Sequence, residues 1–374
     1  MAVNLPSTNT TPTEAVSLHK KIDLFLMNMS SVPTSELLFF VRNLGIMLKA
    51  GVSLVASLTT LAKQTDHPKF KLIITDVSHS VEKGSSFADS LRLHNKTFDD
   101  LFINMIEAGE ISGRLESVFA ELYLQMKKRY QLISKIKGAL TYPIVILVAM
   151  TGIGTFMMAF IVPKITAMFK EFNAELPIAT RILIIISDAL AQHGILVLIF
   201  TVIFIWIAIR VIKTPNGTFY SQLFLLKMPV FGPIIKKINL AKFSRTISAL
   251  LKTDIMIIKC FQITASTLGN VHYRLSLEET AERIKKGVPI HEVLSQYPNL
   301  YSPLVIQMVA IGEQTGEVDS ILGELADFYE DEVDQIMESL PSIIEPILIL
   351  VMGIAVGGIA IAIMMPMYSL SSAM

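Results

Sequence analysis

The chain has 374 residues, of which 52% are apolar and only 17% charged, and its 32 Lys+Arg balance 32 Asp+Glu. Soluble domains average roughly 45–50% apolar and about 25% charged, so a wholly soluble protein and a disordered one are both excluded. The neutral balance offers no basic footprint for direct nucleic-acid binding. The lone cysteine, Cys260, excludes an intramolecular disulfide framework and a zinc cluster.

Residues 1–33 read as a disordered leader and a short amphipathic helix. Met1–Ser17 is rich in Thr, Pro and Ser and lacks the basic and apolar regions of a signal peptide. Lys20 and Lys21 then lead into the apolar Ile22–Met29, which can lie against a membrane or the first domain. Residues 34–137 read as a helical bundle: Leu37, Val41, Leu44 and Leu48 recur at helical spacing, as do Leu115, Phe119, Leu122, Met126, Tyr130 and Ile133. Punctuation at Gly51, His67-Pro68, Lys83-Gly84, Gly109 and Gly113 divides it into about six helices. The last of them, from Leu115, leads directly toward the membrane.

A helix needs about 20 apolar residues to cross the hydrocarbon core. Residues 138–163 carry no charge and form the first transmembrane helix. A short external loop, 164–181, leads to a second at 182–212, and 213–236 is a connector. Residues 237–342 form a second helical bundle, 343–366 a third transmembrane helix and 367–374 an external tail. Lys127, Lys128, Arg129, Lys135 and Lys137 precede the first span, and Arg210, Lys213, Lys227, Lys236 and Lys237 follow the second. Lys/Arg-rich flanks stay inside, so the N-terminus and both bundles are expected in the cytoplasm and the C-terminus outside.

The two halves are copies. A shift of 203 residues superposes Arg42 on Arg245, Lys83-Gly84 on Lys286-Gly287, Gly109-Glu110 on Gly312-Glu313, Pro143 on Pro346 and Pro163 on Pro366. Each copy is a bundle plus a span, and the middle span returns the chain to the inside. The fold class is therefore an all-α membrane protein: two repeated six-helix cytoplasmic bundles with three transmembrane helices.

The most informative local motif is Gly109-Glu-Ile-Ser-Gly113 with its counterpart Gly312-Glu-Gln-Thr-Gly316. The first glycine, Gly109 or Gly312, is expected to end a helix in the left-handed conformation. Ser112 or Thr315 is expected to cap the next helix, and Gly113 or Gly316 to permit a tight turn there. Glu110 and Glu313 can accept nearby backbone N–H groups. The motif reads as a helix–helix turn and, compatibly, as a contact surface for a partner. Asp254 stands where Gly51 stands in the first copy, and Asp tolerates a left-handed position better than most residues.

Catalytic constellations do not appear: there is no nucleophile elbow, phosphate loop, His-Glu-x-x-His or dinucleotide fingerprint. The seven histidines are scattered, so no metal, catalytic or cofactor-binding residue is assigned, and the chain reads as a non-enzyme. Ionisable groups near the spans, Asp188 and Glu345, sit at their edges. The run Glu324–Glu338 is acidic where Lys127–Lys137 is basic, and these faces are expected to meet across a dimer or to select different partners.

Together, Phe39–Leu54, Gly109-Glu-Ile-Ser-Gly-Arg-Leu115, Leu140-Thr-Tyr-Pro143, Val162-Pro163, Leu176-Pro-Ile-Ala-Thr180, Gly312–Gly316 and the proline-bounded last span resemble the type II secretion system F family. These are inner-membrane platform proteins of type IV pili and type II secretion systems, and the resemblance covers about residues 34 to 370. It implies a bacterial inner-membrane platform without cofactors that couples a cytoplasmic hexameric assembly ATPase to pilin or pseudopilin polymerisation. Further implied partners are inner-membrane alignment proteins and further copies of the chain, as a dimer or higher oligomer. The family pattern falls on Gly109, Glu110, Gly113, Gly312, Glu313 and Gly316 as motif positions. The alternative is a subunit of a small-solute membrane transporter or channel, which would need polar groups at mid-membrane.

Overall fold

The computed structural model describes residues 31–171 and 178–373, so the leader and its short helix lie outside the described residues. All regular structure among the described residues is helical. The first copy comprises α1 (Thr34–Lys49), α2 (Leu54–Gln64), α3 (Pro68–Glu82), α4 (Phe87–Arg92), α5 (Asp100–Ser112) and α6 (Leu115–Phe156). A π-helical turn, Met157–Ile161, joins α6 to α7 (Val162–Glu171). Then come α8 (Ile178–Ile212) and α9 (Pro215–Lys227). The second copy comprises α10 (Phe231–Leu251), α11 (Ile257–Thr267), α12 (Val271–Ile284), α13 (Ile290–Leu294), α14 (Pro303–Thr315) and α15 (Val318–Ala373). Six helices therefore recur in each copy, as the punctuation predicts.

Local chemistry explains the helix starts of the first copy. Ser53, His67, Ser86 and Asp99 each accept a backbone N–H of the following first turn, satisfying donors that have no partner within the helix. The ends of α1, α3 and α5, and of their counterparts in the second copy, fall at left-handed residues. Among the described residues, positive φ occurs at Gly51, Gly84 and Gly113 and at their counterparts Asp254, Gly287 and Gly316. Asp254, with φ 60°, keeps the turn that Gly51 makes at φ 81°.

The chain divides into two compact units, and the division falls inside α6, α10, α12 and α15. One unit runs to Tyr130 and adds Lys242–Gly269 and Arg274–Leu325, so it holds the short helices of both copies. Its core contains an aromatic group, Phe40, Phe70 and Phe98, with ring centroids 5.5–6.4 Å apart. The second copy repeats part of it as Phe243 against Tyr301 at 5.5 Å. The Tyr301 hydroxyl, which the first copy's Phe98 lacks, shares a 2.8 Å hydrogen bond with Ser276, so this buried polar group is satisfied.

The other unit comprises Gln131–Ala241, Asn270–Tyr273 and Ala326–Met374. Three helical segments are long and apolar enough to cross a membrane: Leu115–Thr166, Thr180–Ile212 and Val318–Ala362. The first and third extend without interruption from the helices that close each bundle. Arg210 lies over the Trp206 ring at 5.1 Å, where an aromatic–cation pair anchors a helix end at the interface. α8 breaks at His193 (φ −125°, ψ 26°), just before Gly194. The part before the break packs on the π-turn and α7.

That packing resolves a problem set by proline. In the π-turn Val162 N–H bonds the Met157 carbonyl, and the next residue, Pro163, has no N–H to give Met158. The buried Ser187 hydroxyl of α8 donates to the Met158 carbonyl at 2.7 Å. In α15, Pro366 lies four residues after Ala362 and deprives that carbonyl of its helical donor. The buried Thr180 hydroxyl, also of α8, donates to the Ala362 carbonyl at 2.7 Å. Val162, Leu183 and Ala362 form the apolar cluster around these bonds. One helix thus satisfies carbonyls orphaned by both copies of the repeated proline, where lipid offers no substitute partner.

The oppositely charged faces meet within one chain. Lys135 of the basic run pairs with Asp334 of the acidic one, and Lys237, outside that basic run on α10, pairs with Glu332. A dimer is not needed to bring these charges together. Their helices are already joined by Leu132, Val333, Met337 and Leu340, with Ile234 and Ile238 against them.

Candidate functional site

The Gly-Glu motif is built differently from the reading of its spacing. Gly109 and Gly312 lie inside helices, and the left-handed residues are Gly113 (φ 68°) and Gly316 (φ 78°). Arg114 N–H donates to the Gly109 carbonyl at 2.9 Å and Gly113 N–H to Glu110, the closure that a left-handed residue allows. Gly109 is instead a close-packing residue. A β-carbon there would stand 2.7 Å from Val118 Cγ2, and one on Gly312 would stand 3.1 Å from Val318 Cα. The helix turns back on itself at Gly113, and the next helix crosses the spot a side chain would fill.

Ser112 and Thr315 do not cap the following helix. Their hydroxyls donate back to the carbonyls of Ala108 (2.8 Å) and Ile311 (3.0 Å), one turn earlier. In the last turn of a helix this bond is available without distorting the backbone, and it competes with capping forward.

Glu110 and Glu313 do accept backbone N–H groups, but from distant residues. Glu110 Oε1 accepts Phe87 N–H at 2.7 Å and Oε2 accepts Ala88 N–H at 3.0 Å. Glu313 accepts Ile290 N–H at 2.5 Å and His291 N–H at 3.0 Å, and its Oε2 also contacts His291 Nδ1 at 2.6 Å. Each carboxylate therefore holds the first turn of α4 or α13, where unpaired N–H groups and the helix dipole favour an anion. What the turn leaves exposed is Ile111, 82% accessible, with Ser112, Gly113 and Arg114 beside it.

Two polar seams join the copies within the first unit. α5 packs on α11, with Arg114 to Asp254 at 3.0 Å and Lys259 to Glu107 at 3.5 Å. α6 meets α10 where Gln125 Nε2 donates to Thr246 Oγ1 at 3.2 Å. Burial raises the Glu121 carboxyl above its ordinary value, although Lys252 and Arg245 pull it down. Burial also lowers the Lys242 ammonium, aided by the Arg129 charge. None of these pairings was legible in the sequence, because each joins residues more than a hundred positions apart.

Among the described residues no group of three or more His, Cys, Asp and Glu could hold a metal. His67 accepts Phe70 N–H at a helix start and His291 works with Glu313, both structural roles. Cys260 is buried, and burial pushes its thiol up to about 12.

A duplicated helical bundle whose closing helices run on as apolar spans defines an all-helical membrane protein, its polar groups engaged in helix caps and in seams between the copies. A family model for the type II secretion system (T2SS), protein F, matches residues 40–163 and again 243–366, two segments offset by the repeat shift. The chain belongs to that family. It is 36% identical over 335 residues to a type IV pilus assembly protein PilC of Thermus thermophilus, covering 90% of this chain and 82% of the relative. A type IV pilus assembly protein PilC of Myxococcus xanthus is 33% identical, over 94% of this chain and 84% of its own length. A type II secretion system protein F of Vibrio cholerae is 29% identical, over 92% of this chain and 84% of the relative.

Proposed function

We propose that this protein is the inner-membrane platform of a type IV pilus or type II secretion machine. Its bundles and N-terminus lie in the cytoplasm and its C-terminus outside. In this reading it performs no chemistry of its own. A cytoplasmic hexameric ATPase hydrolyses ATP, and the platform passes the resulting movement to pilin or pseudopilin subunits in the membrane, beside the machine's alignment proteins. The observation that carries the reading is the continuity of α6 and α15, each a single helix from bundle to span. A helix that crosses the interface without a break transmits displacement of the bundle to the membrane, as a flexible linker cannot. The transporter alternative is disfavoured because the charged groups of the helical spans lie toward their ends.

The partner contact at the Gly-Glu turn is assigned to its exposed crest, Ile111, because Glu110 is engaged within the fold. An exposed isoleucine on a rigid turn suits an apolar pocket on a partner. The test is purification of the full chain from native membranes in mild detergent, with mass spectrometry of what accompanies it. A hexameric ATPase and pilin-like subunits are expected, and Ile111→Glu should lose the ATPase while the variant stays inserted and folded. Recovery of a solute-transport complex, or an Ile111→Glu variant that keeps the ATPase, would count against the respective claim.

A further inference from the structure

The contact between the two copies is not symmetrical. α5 of the first copy rests on α11 of the second, so two different faces meet. Glu107 and Arg114 lie on the first face, and Lys259 and Asp254 on the second. Because the copies share one fold, each face recurs once more in the chain. The counterpart of the α5 face lies on α14, around Leu304, Ala310 and Ile311. The counterpart of the α11 face lies on α2 and the turn before it, around Val52 and Ala56.

These recurring faces are bare. Leu101 of α5, the counterpart of Leu304, is 5% exposed and Ile255, before α11, 8%. By contrast Leu304 and Ile311 are 41% and 40% exposed, and Val52, the counterpart of Ile255, 37%. One of the two ionic pairs has also been exchanged as a pair. Where Glu107 meets Lys259, the counterparts are Ala310 and Ala56. Small apolar residues on both faces suit a dry contact. The remaining charge is complementary: Glu317 follows α14, whereas α2 carries Lys63, α1 ends on Lys49 just before the turn, and neither α2 nor that turn has an acidic residue.

We infer that the chain docks on a second copy of itself by repeating its internal contact, α14 of one protomer against α2 of the next. A contact between unlike faces does not close on itself as a two-fold dimer does. It continues into a ring or an open filament. Three apolar helices in every protomer must share one bilayer, which forbids a rise along the membrane normal, so the series closes into a ring around that normal.

Cross-linking of the full-length protein in its native membranes tests this, with Ala56→Cys and Ala310→Cys and a short bismaleimide. The native Cys260 is buried and stays silent. The double variant should give a ladder of dimers and higher species. Two singly substituted chains with different tags should link only to each other. Glu107→Cys with Lys259→Cys must link within one chain, which establishes the internal template. Either single variant linking to itself would mean a two-fold contact and overturn the proposal. So would a double variant without a ladder, or an internal control that fails to link. As a second readout, Ala310→Glu should lose the oligomer on a native gel. Adding Ala56→Lys, which recreates the internal charge pair on the outer faces, should restore it. No recovery would overturn the proposal as well. None of these readouts needs the ATPase or a pilin, so their failure is separable from failure of the platform reading.

Discussion

The two copies make the same turn with different atoms. At the start of α4, Ser86 accepts Asp89 N–H while Glu110 accepts the N–H groups of Phe87 and Ala88. At the start of α13 the residue in the Ser86 position is Pro289, which offers no side-chain cap. There Glu313 works alone on the backbone, and His291 folds back onto it. The repeat has kept the carboxylate that accepts the first two N–H groups and let the cap beside it drift. Glu313 should therefore matter more than Glu110. Hydrogen bonds to a charged group contribute roughly 1.5–3 kcal/mol each. Glu313→Ala, which loses two and strands their donors, should cost about 3–5 kcal/mol on that scale. Glu110→Ala should cost less, about 2–3 kcal/mol, because Ser86 still secures the first turn. Thermal unfolding in detergent checks the order, and equal losses would mean that the serine cap contributes nothing.

The copies diverge again at their repeated proline. Pro163 is entered through a π-helical turn, whereas the helix around Pro366 carries none. Both leave a carbonyl that α8 satisfies, through Ser187 and Thr180. Ser187→Ala should destabilise the protein by about 1–2 kcal/mol, the penalty of an unpaired buried acceptor. Hydrogen bonds within membranes often measure nearer 0.6 kcal/mol, which sets the lower limit. Pro163→Ala supplies a backbone donor, so Ser187→Ala should cost markedly less in that background. A double-mutant cycle that is additive would show the hydroxyl and the proline to be uncoupled. Thr180→Val should be rescued in the same way by Pro366→Ala.

Much of this was legible in the residues and some was not, for physical reasons. Glycine, proline and uncharged length report on the backbone itself. The repeat, the spans and the turns at Gly51 and Gly84 could therefore be read directly. Asp254 was legible too, since its tolerance of a left-handed turn is a property of its own side chain. The choice between Gly109 and Gly113 was not, because close approach of a second helix and a left-handed stop favour the same residue. Nor could the sequence show that Glu110 reaches Phe87, or that Ser187 serves Met158. Those pairings depend on where helices are brought by burial of their apolar faces. The basic and acidic runs were visible as charges, but their pairing within one chain follows from the packing of Leu132 against Val333, Met337 and Leu340.

The Gly51–Asp254 comparison can be broken in both directions. Gly51→Asp places a β-carbon at φ 81° with nothing within 4 Å of it, so only backbone strain opposes it. Left-handed residues other than glycine cost roughly 1–2 kcal/mol, and Asp should fall at the lower end, about 1 kcal/mol. The reverse change, Asp254→Gly, relieves that strain and loses the exposed ion pair to Arg114. Exposed pairs contribute about 0–1 kcal/mol, so the net change should be near zero and turn stabilising at high salt. A loss that persists at high salt would show that Asp254 does more than stop a helix.

The smallest effect concerns the seam between α6 and α10, where the copies differ in what they bury. Glu121 is half-buried there beside Arg245 and Lys252, and burial raises its carboxyl above the ordinary value of 4.5. A carboxyl raised by folding is favoured in its protonated form in the folded state. It is therefore neutral for stability below its unfolded value and destabilising once pH rises through its folded value. Glu121→Gln removes that pH-dependent loss and keeps a polar group at the seam. The variant should equal or exceed the parent at neutral pH by roughly a few tenths of a kcal/mol, since solvent screens a group this accessible. The gap should vanish as pH falls below the ordinary carboxyl range. If the parent is the more stable protein at neutral pH, attraction to Arg245 and Lys252 outweighs burial, and the seam is an ionic clamp between the copies.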